Sequence, residues 1–358
     1  MVGARRGWGR LVGVCIALGA ACAGAAAQNL PMIDTHSHFQ AGKDRNFPAA
    51  LTRALQEMDQ VGIARTLLMP PPLPKDQGPM YYDIEDLQFA AREAQGRVAL
   101  LGGSSLNVMI HSVAPQDVTE AVKARFAARA KAILDQGAVG LGEIAIHHVS
   151  IPAMGPQHAY ELIPADHPLL LLLADLAAER DVPIDLHMDL VPEDMPLPAV
   201  LRPNPLNPDT LPANAEAFKR LLRHNPNTRF VWSHVGFEPL LTRSPEVVRA
   251  WLQEFPRLYM SFRLNRGAPS PAAALSPDGR LKPNWVNLIS AFPDRFLLGS
   301  DSFYDATGVA RGGGEQGSNQ GLRGLRALVN ALPPDVAEAV ASGNAVRLYK
   351  LAPLASGK

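Results

Sequence analysis

"PMIDTHSHF", residues 31–39, is the stretch from which the fold is read. Its apolar start, Met32 and Ile33, gives way to Asp34, His36 and His38 at every second position. Side chains alternate along a strand, so residues two apart project to one face. His36 and His38 at the end of such a strand can bind one cation without moving the backbone. Alone, the pair reads equally well as two polar residues where a strand meets a loop. A metal hook needs further ligands from elsewhere in the chain.

Outward from this strand the chain alternates. "PMIDTHSHF" precedes the helical pattern "PAALTRALQEMDQVGI", with Pro48 suited to a first turn. Seven further pairs follow: "ARTLLMP" with "YDIEDLQFAAREAQG", "RVALLGGSSLN" with "PQDVTEAVKARFAARAKAILDQG", "AVGLGEIAI" with "DHPLLLLLADLAAERD", "VPIDLHMD" with "NAEAFKRLLRHNP", "TRFVWSHVG" with "SPEVVRAWLQEFP", "LYMSFRL" with "PNWVNLISAFPD", and "RFLLGSDS" with "GLRGLRALVNAL". Such alternation implies a parallel sheet with helical crossovers. Eight units with no smaller subset predict a closed (β/α)8 TIM barrel, an α/β fold. The alternative is an open doubly wound sheet, which more often carries a glycine fingerprint after an early strand; this chain has none. Residues 28–358 suit one such domain, a barrel of ~250 residues enlarged by insertions.

The polar residues collect at strand ends. Glu143 lies in "GLGEIAI", His187 in "PIDLHMD", His234 in "FVWSHVG" and Asp301 in "FLLGSDS", each after an apolar run. That is the C-terminal rim, where barrel active sites form. Any one of them is an ordinary hydrogen-bonded residue. Ending strands 1, 4, 5, 6 and 8 in His-x-His, Glu, His, His and Asp, they make one metal site at one mouth. Nitrogen and oxygen donors without thiolate suit zinc, manganese or iron.

This ordered set resembles the amidohydrolase superfamily, specifically its amidohydrolase-related branch, from "IDTHSH" to the closing "GNAVRLYKL", residues 343–351. The resemblance implies that His36, His38 and Asp301 bind the more buried metal, and that His187 and His234 bind a second metal or the catalytic water. It implies that Glu143, in a "GLGEI" context like that of binuclear members, bridges two divalent metals, zinc foremost; a single ion would leave Glu143 to orient a ligand histidine. It implies Asp301 as the catalytic proton carrier and hydrolysis of an ester, lactone, amide or, less readily, phosphoester bond. Arg263, just past the seventh strand, is a candidate clamp for a substrate carboxylate, with Arg266 next in the loop. His147 shares the parity of Glu143 and is a second candidate substrate contact; His148 and Tyr304 have rim positions open to them.

The long proline-rich loops after the fourth and fifth strands read as pocket walls. "ARGGGEQGSNQG", residues 310–321, lacks the Lys-Ser/Thr of a phosphate loop and reads as a lid or connector. Residues 1–27 read as a cleaved signal peptide: Arg5, Arg6 and Arg10, an apolar core shorter than the ~20 residues of a spanning helix, then Ala25 and Ala27. The expected location is periplasmic or secreted; lipid attachment at Cys22 is a lesser option. Both cysteines, Cys15 and Cys22, go with that segment, and 31 basic residues then face 34 acidic ones. No basic stripe suggests nucleic acid, and no stable membrane insertion is expected after cleavage. The expected partner is a small-molecule substrate; a homo-oligomer stays open. The rival readings are a mononuclear decarboxylase or lyase, a metal-dependent phosphoesterase or nuclease, and a metal-binding barrel without activity.

Overall fold

The computed structural model describes residues 30–354, apart from 41–43, 77, 79, 152–157, 159, 203–205, 237–238, 265–271, 307–316 and the side chains of 317–320. The expected signal peptide, Arg266 and residues 310–316 of the glycine-rich stretch lie outside the described residues.

Twelve strands are described: β1 (Met32–Phe39), β2 (Ile63–Leu68), β3 (Val98–Gly102), β4 (Gly140–His148), β5 (Glu161–Leu162), β6 (Pro183–Met188), β7 (Met195–Pro196), β8 (Thr210–Leu211), β9 (Arg229–Val235), β10 (Leu258–Phe262), β11 (Phe296–Leu298) and β12 (Ser302–Tyr304). The path β1-β2-β3-β4-β6-β9-β10-β11 is parallel throughout and returns to β1, closing an eight-stave barrel. β11 and β12 are two halves of the eighth stave: β1 pairs with the first through Asp34–Leu298 and with the second through Ser37–Ser302. The chain is thus a (β/α)8 TIM barrel.

Helices α1 (Phe47–Val61), α2 (Ile84–Glu93), α3 (Ser104–His111), α4 (Glu120–Asp135), α5 (Pro168–Glu179), α6 (Ala215–His224), α7 (Pro245–Glu254), α8 (Pro283–Ala291) and α9 (Gly317–Asn330) fill the crossovers. Their patterning explains the packing. In α6, Ala215, Phe218 and Leu221 recur every third residue and are buried, while Glu216, Lys219 and Arg220 face out. Phe218, Trp232 of β9 and Trp251 of α7 then meet edge-to-face or stacked, with ring centres 4.9–5.3 Å apart. Ser244 caps α7 through the Val247 amide, and Asp83 caps α2 in a reciprocal box with Asp86.

β1 is buried on both faces, which a parallel stave between barrel interior and helices requires. The interior holds Ile33, Leu67, Leu101, Val231 and Leu297, one from each of five staves, each contributing roughly 1.5–3 kcal/mol by burial. Leu348, Tyr349 and Leu351, at and just beyond the C-terminal helix α10 (Asn344–Leu348), pack onto them. Asn344 anchors this plug by donating to the Phe296 carbonyl (2.9 Å), at the start of β11 and so at the end opposite the candidate ligands.

Three boundaries differ from expectation. Ser104–Asn107, read as strand, begins α3, because the Asp83 carboxylate accepts from the amides of Gly103 (3.1 Å) and Ser105 (2.9 Å) and so fixes a helix start there. β4 runs on to His148, since its end forms a hairpin with β5. The end of the glycine-rich stretch, from Gly317, belongs to α9.

Candidate metal centre

Every candidate ligand sits at the same barrel mouth. His36 and His38 end β1, Glu143 lies in β4, His187 in β6 and His234 in β9, and Asp301 in the break between β11 and β12. The carboxylate of Glu143 stands at the middle. Its Oε2 is 3.3 Å from His36 Nε2 and 3.4 Å from His38 Nε2. Its Oε1 is 2.9 Å from His187 Nδ1 and 3.1 Å from His234 Nε2. Asp301 Oδ1 completes the first group at 3.3 Å from His38 Nε2 and 3.8 Å from His36 Nε2. Three triads, His36–His38–Glu143, Glu143–His187–His234 and His36–His234–Asp301, each bring their donor atoms within 4.8 Å of one another and could hold a metal ion.

The ring nitrogens facing away set the tautomers. His38 donates Nδ1–H to the Met69 carbonyl at 3.0 Å, and His36 directs Nδ1 at Asp185 Oδ1, 3.2 Å away. In the neutral rings both Nε2 atoms carry the lone pairs, and they face each other at 3.1 Å. Two acceptors so placed fit a cation between them, so the residues present suit the ion. Without thiolate, the donor set is that of zinc and similar divalent metals.

In the ion-free site neighbouring carboxylates raise the proton affinity of His36, His38 and His187. Burial opposes protonation of His36, but Asp185 and Glu143 raise its pKa well above the usual range. Burial likewise opposes the His187 proton, yet Asp189 and Glu143 push its pKa up to about 9. His234 goes the other way: burial brings it down to about 3. Burial disfavours charge on Glu143, but His36, His187 and His234 hold its carboxyl well below the carboxylate range. Asp301 behaves alike, with Arg263 outweighing burial.

Local backbone puts the ligands there at a cost. His234 (φ 66°) and Asp301 (φ 54°) are both left-handed, a conformation worth on the order of 1–3 kcal/mol of strain for such residues. Arg243 supports the first: fully buried, it donates to the carbonyls of Ser233 (2.7 Å) and His234 (3.1 Å) and lies over the Trp232 ring. Asp34 supports the second by accepting from the Ser300 amide (2.8 Å) and hydroxyl (2.6 Å). Gly299 allows the close approach: a Cβ there would lie 2.0 Å from Ser261 Oγ and 3.0 Å from His36 Cβ.

Arg263 lies just beyond β10 and pairs Nη1 with Asp301 Oδ2 at 2.9 Å, so it faces the proposed proton carrier. His147 does not reach a rim position. It is fully buried, with Nδ1 on the Asp189 carbonyl at 2.7 Å. The register of β4 against β6 shifts between Ala145 and His147, which breaks the parity with Glu143. His148 takes the place instead, its ring 4.6 Å from that of His187 and 4.4 Å from His158. Tyr304 is buried, not at the rim, and Phe303 stacks on His38 at 4.5 Å. Asp34, fully buried, braces the ligands' backbone: its Oδ1 accepts from the His36 amide (3.2 Å) as well as from the Ser300 amide. Asp185, Asp189, Ser233 and Arg243 were not singled out from sequence. Asp185 and Asp189 had a legible signal, standing two residues either side of His187; Arg243 had none.

The amidohydrolase family profile matches residues 33–351. Among solved structures the chain is similar to a 2,6-dihydroxybenzoate decarboxylase in complex with 2,6-dihydroxybenzoate (14% identity, 90% of this chain and 100% of that one, TM-score 0.49). It is also similar to amidohydrolase 2 from Bifidobacterium longum subsp. infantis (13% identity, 90% and 100%, TM-score 0.46). A 2,6-dihydroxybenzoate decarboxylase from Rhizobium is similar at 13% identity, over 90% of this chain and 99% of that one, with a TM-score of 0.46. No curated protein matches.

Proposed function

The chain belongs to the amidohydrolase family, and on that premise we propose that it is an exported, metal-dependent hydrolase cleaving an ester, lactone or amide bond of a small molecule at a pair of divalent cations, zinc foremost. The observation that carries the binuclear reading is Glu143, whose two oxygens address two different histidine pairs. Each oxygen thus has a histidine pair of its own, the arrangement a carboxylate shared between two cations needs. Divalent cations held by His36, His38, Glu143, His187, His234 and Asp301 would supply Lewis acidity for polarising an acyl oxygen and acidifying a water.

The chain's own residues do the rest. His38 and His36 are held with Nε2 inward by Met69 and Asp185. Asp301 takes the proton released when water attacks and returns it to the leaving group. Arg263, on the far oxygen of Asp301, keeps that carboxylate ionised between turnovers. The partly exposed His148 and Phe303 stand beside His187 and His38 and face the substrate's side of the mouth. The leader-like residues 1–27 support export to the periplasm or beyond.

Metal analysis of the purified protein tests the centre: two equivalents are expected, falling to one in Glu143→Ala. A panel of lactones, aryl esters, N-acyl amino acids and phosphotriesters then identifies the bond cleaved. Release of carbon dioxide from aryl carboxylates with no hydrolysis would overturn the reaction class. Full metal content and activity in His36→Ala would overturn the whole reading.

A further inference from the structure

Asp185 stands two residues before His187 on β6, and it belongs to none of the three triads that could hold a metal. It is fully buried. Both its bonds fall on one oxygen: Oδ1 is 3.2 Å from His36 Nδ1 and accepts from Ser233 Oγ at 2.7 Å. Oδ2 is buried without a hydrogen-bond partner. Among the described residues its ion-pair partner is His36 alone; no lysine or arginine reaches it. The neighbouring strand makes room for it, since a Cβ on Gly142 would lie 2.7 Å from Asp185 Cβ and 3.0 Å from its carbonyl oxygen. A carboxylate so enclosed needs compensating positive charge. A cation on Nε2 of His36 would supply it through the ring that Asp185 already holds.

We propose that Asp185 is a positioning residue of the metal centre: it fixes His36 as the Nδ1–H tautomer with Nε2 inward, and so sets the affinity of the His36–His38–Asp301 position. The inference rests on the binuclear reading above. Asp189, the matching carboxylate beside His187, is 3.8 Å from His187 Nε2, outside hydrogen-bond reach, so the two positions differ in how firmly their ligands are held. One strand therefore carries a ligand of the second position and the support of a ligand of the first.

Asp185→Asn keeps the shape and removes the charge. Zinc binding to the full protein would be measured by competition with a chelator, with bound metal counted by mass spectrometry. The expected result is about 10- to 100-fold weaker binding of one equivalent, with the other unchanged. The same variant in a His187→Ala background identifies the weakened equivalent as that of His36. Should Asp185→Asn fail to fold by circular dichroism, Ser233→Ala, which removes the 2.7 Å bond to the same oxygen, is expected to weaken the same equivalent to a smaller extent. Unchanged affinities, or equal losses at both positions, in a folded variant would overturn the inference while leaving the centre intact. A wild-type protein that binds no zinc would overturn the centre and this inference with it.

Discussion

Metal binding at this site should be strongly pH-dependent, and His187 gives the size of the effect. In the ion-free protein burial opposes its proton, but Asp189 and Glu143 push its pKa up from 6.5 to about 9. Its Nδ1, 2.9 Å from Glu143 Oε1, is the atom that must ligate, so the ion and the proton compete for one lone pair. At pH 7 the ring is protonated. Displacing that proton costs about 1.4 kcal/mol for each pH unit below the pKa, roughly 3 kcal/mol over two units. Apparent zinc affinity at the second position should therefore rise about tenfold per pH unit from 7 and level off near 9, about 100-fold in all. The sign of the stability effect is opposite. A raised histidine pKa stabilises the ion-free fold fully below 6.5, and this contribution is lost as pH climbs through 9. So alkali loosens the empty protein while tightening the loaded one. Calorimetric titration of zinc into chelator-stripped protein, in buffers of different ionisation enthalpy, counts the protons released at each pH. His36 and His38, also raised, add to the count at the first position. Zinc affinity flat between pH 7 and 9, with no protons released, would refute this reasoning.

Arg263→Gln removes the cation 2.9 Å from Asp301 Oδ2, so the proton affinity of Asp301 rises and the acid limb of the kcat–pH profile should move to higher pH, measured with whichever substrate is turned over. Arg243→Met deletes charge-assisted bonds to the carbonyls of Ser233 and His234 and should destabilise the fold by roughly 2–5 kcal/mol, read from the denaturant midpoint at constant slope.

The alternation of apolar strands with helical patterns sufficed for the barrel, because parallel staves buried on both faces leave a continuous apolar signal that few other folds produce. The six candidate ligands were legible for a related reason: a charged or imidazole side chain directly after such a run breaks the pattern at a fixed place, the mouth. What failed was parity. It placed His147 beside Glu143. That expectation assumes an unbroken two-residue repeat, and β4 shifts register between Ala145 and His147 on the way to the mouth. A bulge inserts one residue and turns every later side chain over.

The supports of the centre were harder to read than its ligands. A ligand faces the mouth from its own strand, whereas a support acts across strands: Asp185 of β6 on His36 of β1, Asp34 of β1 on Ser300 beside Asp301, Arg243 beyond β9 on the carbonyl of His234. Each of these contacts joins residues distant in sequence or beyond the strand end, and each is buried. Such contacts hold left-handed His234 and Asp301 in place, conformations that isolated strand ends would not keep. The ligands thus arrive oriented before any ion binds, and loosening the Asp185 or Asp34 support should weaken metal binding while the barrel itself stays folded, its apolar interior of Ile33, Leu67, Leu101, Val231 and Leu297 being built from other residues.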